Sequence, residues 1–275
     1  MEISLKKTSG LNLKLDTLTG KLSISDPSLS LPQEQYRTLG ELQEYLKEEF
    51  SPGKSKEIAY IMYRNICLAE DEQKFKGANL RYDITVILPR SIGKEYIKTA
   101  GHYHPTKPGT NVAYPESIEV ISGHGYFILQ KKDKDDDGLI KEIYLVEALP
   151  GEKIIFPPGF GHSTINAFNE PLVISNIEAN TFSNDYEGFR RHRGAGYWLL
   201  EGDTPDNTEI EKNTFYTSVP EVKKIRPKEQ PKLGFKKSLT LYESLAKNPE
   251  DFAYLTQPED FTKELIIEKC FKTIR

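Results

Sequence analysis

Apolar and polar positions alternate along much of this chain, in short bursts rather than in long stripes. Residues 9–25 (SGLNLKLDTLTGKLSIS) alternate around a turn at Thr19–Gly20, which predicts a hairpin. Pro27 and Pro32 then break the pattern. From Thr38 to Phe50 the period changes: Leu39, Leu42, Tyr45, Leu46 and Phe50 recur at helical spacing behind a threonine suited to capping. That run predicts one amphipathic helix of about three turns, ended by Ser51–Gly53. Short stretches rich in β-branched and aromatic residues follow at 57–68, 80–88, 95–100, 117–122, 125–131, 140–147, 153–157, 162–168 and 171–178. Gly, Pro or Asp turns separate them, a rhythm that predicts an antiparallel sandwich or barrel.

After Trp198 the texture changes. Residues 201–237 are rich in Pro, Asp, Lys and Asn with little periodicity, as in an extended surface segment. Two copies of PEDF, Pro249–Phe252 and Pro258–Phe261, suit helix starts, because proline fits the first turn and acidic side chains favour the positive end of the dipole. The second opens an expected helix carrying Phe261, Leu265, Ile266 and Phe271. The expected organisation is an N-terminal hairpin arm over 1–36, a barrel with a metal site over 37–200, and an extended linker with a helical tail over 201–275.

Length and charge narrow the classes. The 275 residues suffice for a sizeable core, and 41 acidic against 37 basic side chains leave a net charge of −4. That balance gives no reason to expect a nucleic-acid or anionic-membrane partner; Arg190–Arg193 and Lys223–Lys228 read as solvated surface. The opening MEISLKKTSG has no apolar core of the secretory kind, and no run of about 18 apolar residues occurs, so the expected location is cytoplasmic. Cys67 and Cys270 are too isolated for a disulfide framework and read as packing residues. The run 132–138 (KDKDDDG) opens like a calcium loop through Asp133, Asp135, Asp137 and Gly138, but Tyr144 stands where the closing glutamate belongs, so it reads as a hairpin turn.

Candidate chemistry concentrates at 101–123 and 151–166. His102 and His104, two apart on an extended segment, share a face. With Glu116 and His162 they make a three-nitrogen, one-oxygen set suited to a divalent first-row ion with positions left open. Glu119 competes with Glu116 for the carboxylate role. His124 reads as a turn residue, and His192 has no identified partner.

These residues carry a resemblance. Gly151, Pro157, Gly159, His162 and Asn166 resemble the second signature of the cupin superfamily, and His102, His104, Glu116 and Gly123 resemble the first. The first departs in its eleven-residue gap, 105–115, and in Tyr96 at the position of a usual glycine. From about Gly10 to Tyr186 the chain is similar to the cupin-type glucose-6-phosphate isomerases of archaea and some bacteria. The features are GLNLKLDTLTGKL, RTLGELQEYL, LRYDITVILPRSIGKEYIKTAGHYHP, PPGFGHSTIN and NDY at Asn184–Tyr186.

The resemblance implies a mainly β fold, a cupin-type double-stranded antiparallel β-barrel (jelly roll) with a few peripheral helices. It implies interconversion of glucose 6-phosphate and fructose 6-phosphate by a homodimer. One divalent metal ion per subunit is expected, Fe2+ or Mn2+ before Ni2+ or Zn2+, held by His102, His104, Glu116 and His162. Thr85, Thr99 and Gly101 match phosphate-holding positions, Tyr60 and Tyr186 match substrate-pocket positions, and Glu116 doubles as ligand and catalytic base. Hydroxyls and a backbone N–H can hold phosphate oxygens without many fixed positive charges. Ile118, Glu178 and Asn184 replace residues usual in the family and touch on which substrate is accepted. Two other readings stay open: a cupin that binds a sugar phosphate without turnover, and a non-haem iron dioxygenase using the same donor set.

Overall fold

In the computed structural model, which describes residues 1–204 and 207–274, two sheets, one antiparallel and one mixed, face one another across a mainly β core. One has six strands in the order Lys153–Phe156, Glu116–Ser122, Leu172–Ala179, Leu80–Ile87, Ile58–Tyr63 and Gln35–Thr38, every neighbour antiparallel. The other has five: Gly161–Ile165, Gly125–Lys132, Ile140–Ala148, Lys223–Pro227 and Phe271–Thr273. Phe127 from the second sheet and Phe156 from the first meet with ring centroids 5.9 Å apart, which places the core between the layers. This is the cupin-type jelly roll, with short helices at its periphery. Its strands carry Val, Ile, Tyr and Phe because branched and aromatic side chains pack well on a pleated, buried surface.

The N-terminal hairpin forms as Leu13–Asp16 against Leu22–Ile24, and Glu2–Ser4 adds a third strand to it. Asp133 and Asp136 accept backbone N–H groups within the turn that joins Gly125–Lys132 to Ile140–Ala148. Among the described residues no helix is long and apolar enough to cross a membrane.

Several elements differ from their sequence pattern. The helix expected over 38–50 is an α-turn at Leu39–Leu42 followed by a 3-10 turn at Gln43–Tyr45, although Thr38 and Glu41 form a full capping box. It stops because Leu46 turns extended and the buried Glu95 carboxylate takes the Lys47 N–H at 2.7 Å. The strand expected over 57–68 is split into Ile58–Tyr63 and a short Cys67–Leu68, since Asn65 between them adopts a left-handed φ of 58° and gives its N–H to Asp83. The strand over 95–100 keeps Glu95–Tyr96 alone as a ladder. The segment 201–237, expected as irregular surface, contains Thr208–Lys212 and Lys223–Pro227, and the latter extends the five-stranded sheet in parallel with Ile140–Ala148. Both PEDF copies start 3-10 stretches, and the helix expected through Phe271 gives way to a short turn, Ile267–Cys270, and then the strand Phe271–Thr273. The edge of Lys223–Pro227 captures Phe271, and backbone pairing there outweighs helical periodicity.

Candidate metal centre and substrate cavity

Period-two alternation fixes which side chains enter the space between the sheets. On the six-stranded sheet Glu178 faces Arg81, Asn176 faces both Asp83 and Ile118, and Ile174 faces both Thr85 and Val120. Met62 faces Thr85 in turn, and Tyr60 lies two residues along the same strand face. These rows form one wall of a cavity of about 60 Å³, which Thr99, His102, His162, Asn184 and Tyr186 close from the other side.

The histidine pair lies on an extended segment that pairs with Gly161–Ile165, with Lys98 opposite Ile165 and His102 opposite His162. Four steps on one side, 98 to 102, oppose three on the other, 165 to 162. That extra residue is a bulge, a device that re-aims side chains beside a site. His162 enters the opposite side just after Gly159, whose φ of 79° lets the PPGFG turn reverse tightly. Glu116 opens its strand opposite Phe156, and the Phe156 ring packs on His162 at 4.4 Å.

The result is a cluster in which one donor atom from each of His102, His104, Glu116 and His162 lies within 4.8 Å of every other. His162 Nε2 is 3.1 Å from His102 Nε2 and 2.9 Å from Glu116 Oε2, and His104 Nε2 is 3.6 Å from Glu116 Oε2. Each Nδ1 turns the other way, toward a backbone carbonyl: Tyr114 at 3.1 Å for His104, Ala100 at 3.4 Å for His102, Phe160 at 3.4 Å for His162. A proton held at Nδ1 leaves the Nε2 lone pairs converging. Burial keeps the rings neutral, pushing His104 and His162 down to about 4 and His102 well below the ordinary imidazole range.

This donor set fits a divalent ion. Two lone pairs facing each other at 3.1 Å repel unless a cation lies between them, and His104 Nε2 and Glu116 Oε2 are buried without any hydrogen-bond partner. The 2.9 Å approach of His162 to Glu116 is a contact between two acceptors when the imidazole proton is on Nδ1. Glu119, three residues on, faces the other side, where it accepts from Lys153 at 3.0 Å and from the Leu241 N–H at 2.6 Å.

The remaining sequence-named residues divide. Tyr60 is buried in the cavity wall with its hydroxyl 3.4 Å from the Ala100 N–H, and Thr85 and Thr99 line the same space. The Thr99 hydroxyl accepts the Thr164 N–H at 3.0 Å. Tyr186 packs on His102 with centroids 5.2 Å apart. Gly101 is not brought into the cavity wall; its Cα faces the Phe189 ring. Ile118, Glu178 and Asn184 all line the cavity.

Sequence reasoning missed an ionic network at this wall. Asp83 Oδ2 accepts from Arg64 Nη1 at 2.7 Å and from Arg81 Nε at 3.0 Å, while Arg81 Nη2 also holds Glu178. The cavity is therefore less free of fixed positive charge than hydroxyl-based phosphate binding suggests. The signal was present: Arg81 and Asp83 alternate with Thr85 on one face of LRYDITVIL. The eleven-residue insertion 105–115 also has a role the spacing hid, because it supplies the Tyr114 carbonyl that orients His104.

A family model described as Glucose-6-phosphate isomerase (GPI) matches residues 37–215. The glucose-6-phosphate isomerase of Thermococcus kodakarensis is 26% identical over 170 residues, covering 61% of this chain and 80% of that protein. That of Thermococcus onnurineus is 26% identical over 165 residues, covering 60% and 79%. Pyrococcus abyssi has one 28% identical over 130 residues, covering 47% and 62%. Among solved structures, the oxalate decarboxylase formate complex of Lactobacillus farciminis aligns at 19% identity with a TM-score of 0.32, covering 50% of this chain and 32% of that one. The matched span 37–215 takes in both histidine segments and Glu116, and the chain belongs to the glucose-6-phosphate isomerase (GPI) family.

Proposed function

We propose that this chain is a metal-dependent isomerase that interconverts glucose 6-phosphate and fructose 6-phosphate by moving a proton between adjacent carbons through an enediol. The observation that carries the reading is the converging His102, His104, Glu116 and His162 donors beside a cavity lined with hydroxyls, in a chain of this family. A mixed nitrogen and oxygen set suits Fe2+ or Mn2+ first and accepts Ni2+ or Zn2+, one ion per subunit. Bound there, a divalent ion polarises the sugar carbonyl as a Lewis acid.

The chain's own groups do the rest. Glu116, buried and held high by that burial against the opposing fields of His104, Arg64 and Arg81, is the group that takes the proton from one carbon and returns it to the next. Thr85 and Thr99 hold the phosphate through hydroxyls, and Tyr60 and Tyr186 flank the sugar; Gly101, outside the cavity wall, is given no contact with it. We extend the proposal to a homodimer, supported by the exposed edge strand Gln35–Thr38 with Tyr36 38% accessible. A cytoplasmic location follows from the substrate, since a sugar phosphate does not cross a bilayer unaided.

The test is a coupled assay of fructose 6-phosphate conversion on metal-stripped protein, restoring Fe(II), Mn(II), Ni(II) or Zn(II) in turn, beside His104→Ala. Turnover that needs metal and vanishes in the variant supports the proposal. A second reading, sugar-phosphate binding without turnover, is favoured by Ile118, Glu178 and Asn184 in the cavity wall. Metal and ligand uptake with no conversion under any of the four metals would establish it instead.

A further inference from the structure

Arg64 is the one lysine or arginine among the residues that line the cavity beside the histidines. It follows directly on the strand Ile58–Tyr63 and continues the face of Tyr60 and Met62, which line the same cavity. Met62 faces Thr85 on the neighbouring strand, and Arg64 Nη2 lies 3.2 Å from the Met62 sulfur. The guanidinium thus rests against the side chain next to Thr85, one of the two hydroxyls given to the phosphate above. Its side chain is 28% exposed, whereas the Asp83 side chain that holds it is fully buried.

The pose is held from one side only. Asp83 Oδ2 accepts from Arg64 Nη1 at 2.7 Å, and its Oδ1 accepts the Asn65 N–H at 2.8 Å, where a φ of 58° turns the chain. One carboxylate therefore clamps both the guanidinium and the backbone beside it. Glu178, at 3.9 Å from Nη1, is too far for a hydrogen bond. A guanidinium has five N–H donors, and a thioether is a weak acceptor. Among the described residues no oxygen but that of Asp83 takes a hydrogen bond from Arg64. One edge of the plane is spent on structure, and the rest of its donors have no protein acceptor.

A phosphate monoester brings a charge of about −2 and three strong acceptor oxygens. Thr85 and Thr99 offer it hydroxyls but no charge, and the residues that face Thr85 from both neighbouring strands, Met62 and Ile174, are apolar. Burying such an anion without a counter-charge is costly. We propose that Arg64 is the charged anchor of the substrate's phosphate, gripping it with the free edge of its guanidinium while Asp83 holds the other edge. The assignment rests on the sugar-phosphate reading above and adds to it the residue that selects phosphorylated over neutral sugars. A planar fork matches phosphate oxygens two at a time, so a lysine at this position is no substitute.

The experiment titrates inorganic phosphate and fructose 6-phosphate into the metal-stripped full chain by calorimetry, for the wild type, Arg64→Lys and Arg64→Gln, and measures KM and kcat for each after metal is restored. Stripping the metal keeps phosphate from binding an ion instead. Anchoring predicts that both affinities fall about 10–100-fold in Arg64→Gln, with a smaller fall in Arg64→Lys. KM should rise in step while kcat changes far less, the mark of binding energy common to substrate and transition state. Unchanged phosphate affinity in both variants overturns the assignment, and so does a loss of fructose 6-phosphate affinity or of kcat with inorganic phosphate unaffected, which would place Arg64 at the sugar. If Arg64→Gln does not fold, Arg64→Lys, which keeps a cation beside Asp83, decides alone by the same criterion. A wild type that binds neither probe overturns the sugar-phosphate reading and this assignment with it. Binding of both through Arg64 without turnover leaves the anchor standing and removes the isomerase.

Discussion

A side chain at Gly101 would have its Cβ 2.0 Å from the Phe189 ring, and one at Gly161 would come within 2.7 Å of the same ring. Each of these glycines directly precedes a candidate ligand, His102 or His162, so a single phenylalanine seats both ligand-bearing segments at close approach. The structure therefore gives Gly101 a packing reason for being glycine, beside the phosphate role that the family resemblance suggests. Gly101→Ala is expected to destabilise the fold by about 1–3 kcal/mol, the usual cost of overpacking, and to weaken metal uptake. Phe189→Leu in the same chain should restore part of both losses, as read by chemical denaturation and Mn(II) titration. Recovery of neither would remove Phe189 from the explanation.

Elements are tied together by polar groups as much as by apolar ones. Glu119, on the strand Glu116–Ser122, caps the helix Leu241–Lys247 through the Leu241 N–H and pairs with Lys153 on the neighbouring strand. Burial pushes its carboxyl up to about 7, against the opposing pull of Lys153 and the Leu241 N–H. The folded chain thus keeps this proton where the unfolded chain has released it, and the stability it contributes is present at about pH 4.5 and lost as pH rises through 7. The swing should be roughly 3 kcal/mol, at about 1.4 kcal/mol per pKa unit. Urea unfolding across that range should show the wild type losing stability relative to Glu119→Gln; parallel curves would refute the assignment.

At this scale it is also clear what the sequence could convey. A strand whose alternation is nearly unbroken, such as Leu80–Ile87, was legible because each residue's side follows from its parity. The four candidate metal donors were legible through spacing and turn chemistry. Where a distant group competes for the backbone, local pattern fails: Glu95 ends the helix after Tyr45, and Pro227 opposite Phe271 makes a strand of an apparent helix. The closeness of Glu178 to His104 was not legible, because Glu178 lies on Leu172–Ala179 and His104 on an irregular segment before Glu116, and nothing local in either signals 3.7 Å. Alternation alone could have placed Glu178 on the inner face, but not beside that ring.

For the molecule as a whole, the segment after Trp198 is part of the sheet architecture. Ile225 and Phe271 are both buried, and their strands cover an edge of the five-stranded sheet that Ile140–Ala148 would otherwise present. A chain stopped before Lys223 is expected to aggregate or to unfold without a single cooperative transition, measurable by light scattering during thermal melting; a monodisperse, cooperatively melting product would show that the edge tolerates exposure.

The parallel pairing of Lys223–Pro227 with Ile140–Ala148 has a bearing on synthesis. Neighbouring antiparallel strands can join as soon as they leave the ribosome, but this partner is translated only after Leu172–Ala179 and the whole stretch through Thr208–Lys212. During that interval the nascent chain carries a complete ligand set beside an uncovered sheet edge, vulnerable to pairing with another nascent copy. The half that carries the candidate donors can therefore be assembled before the protein is protected, and an ion bound there, by holding the two histidine segments together early, would act as a placeholder for the strand still to come.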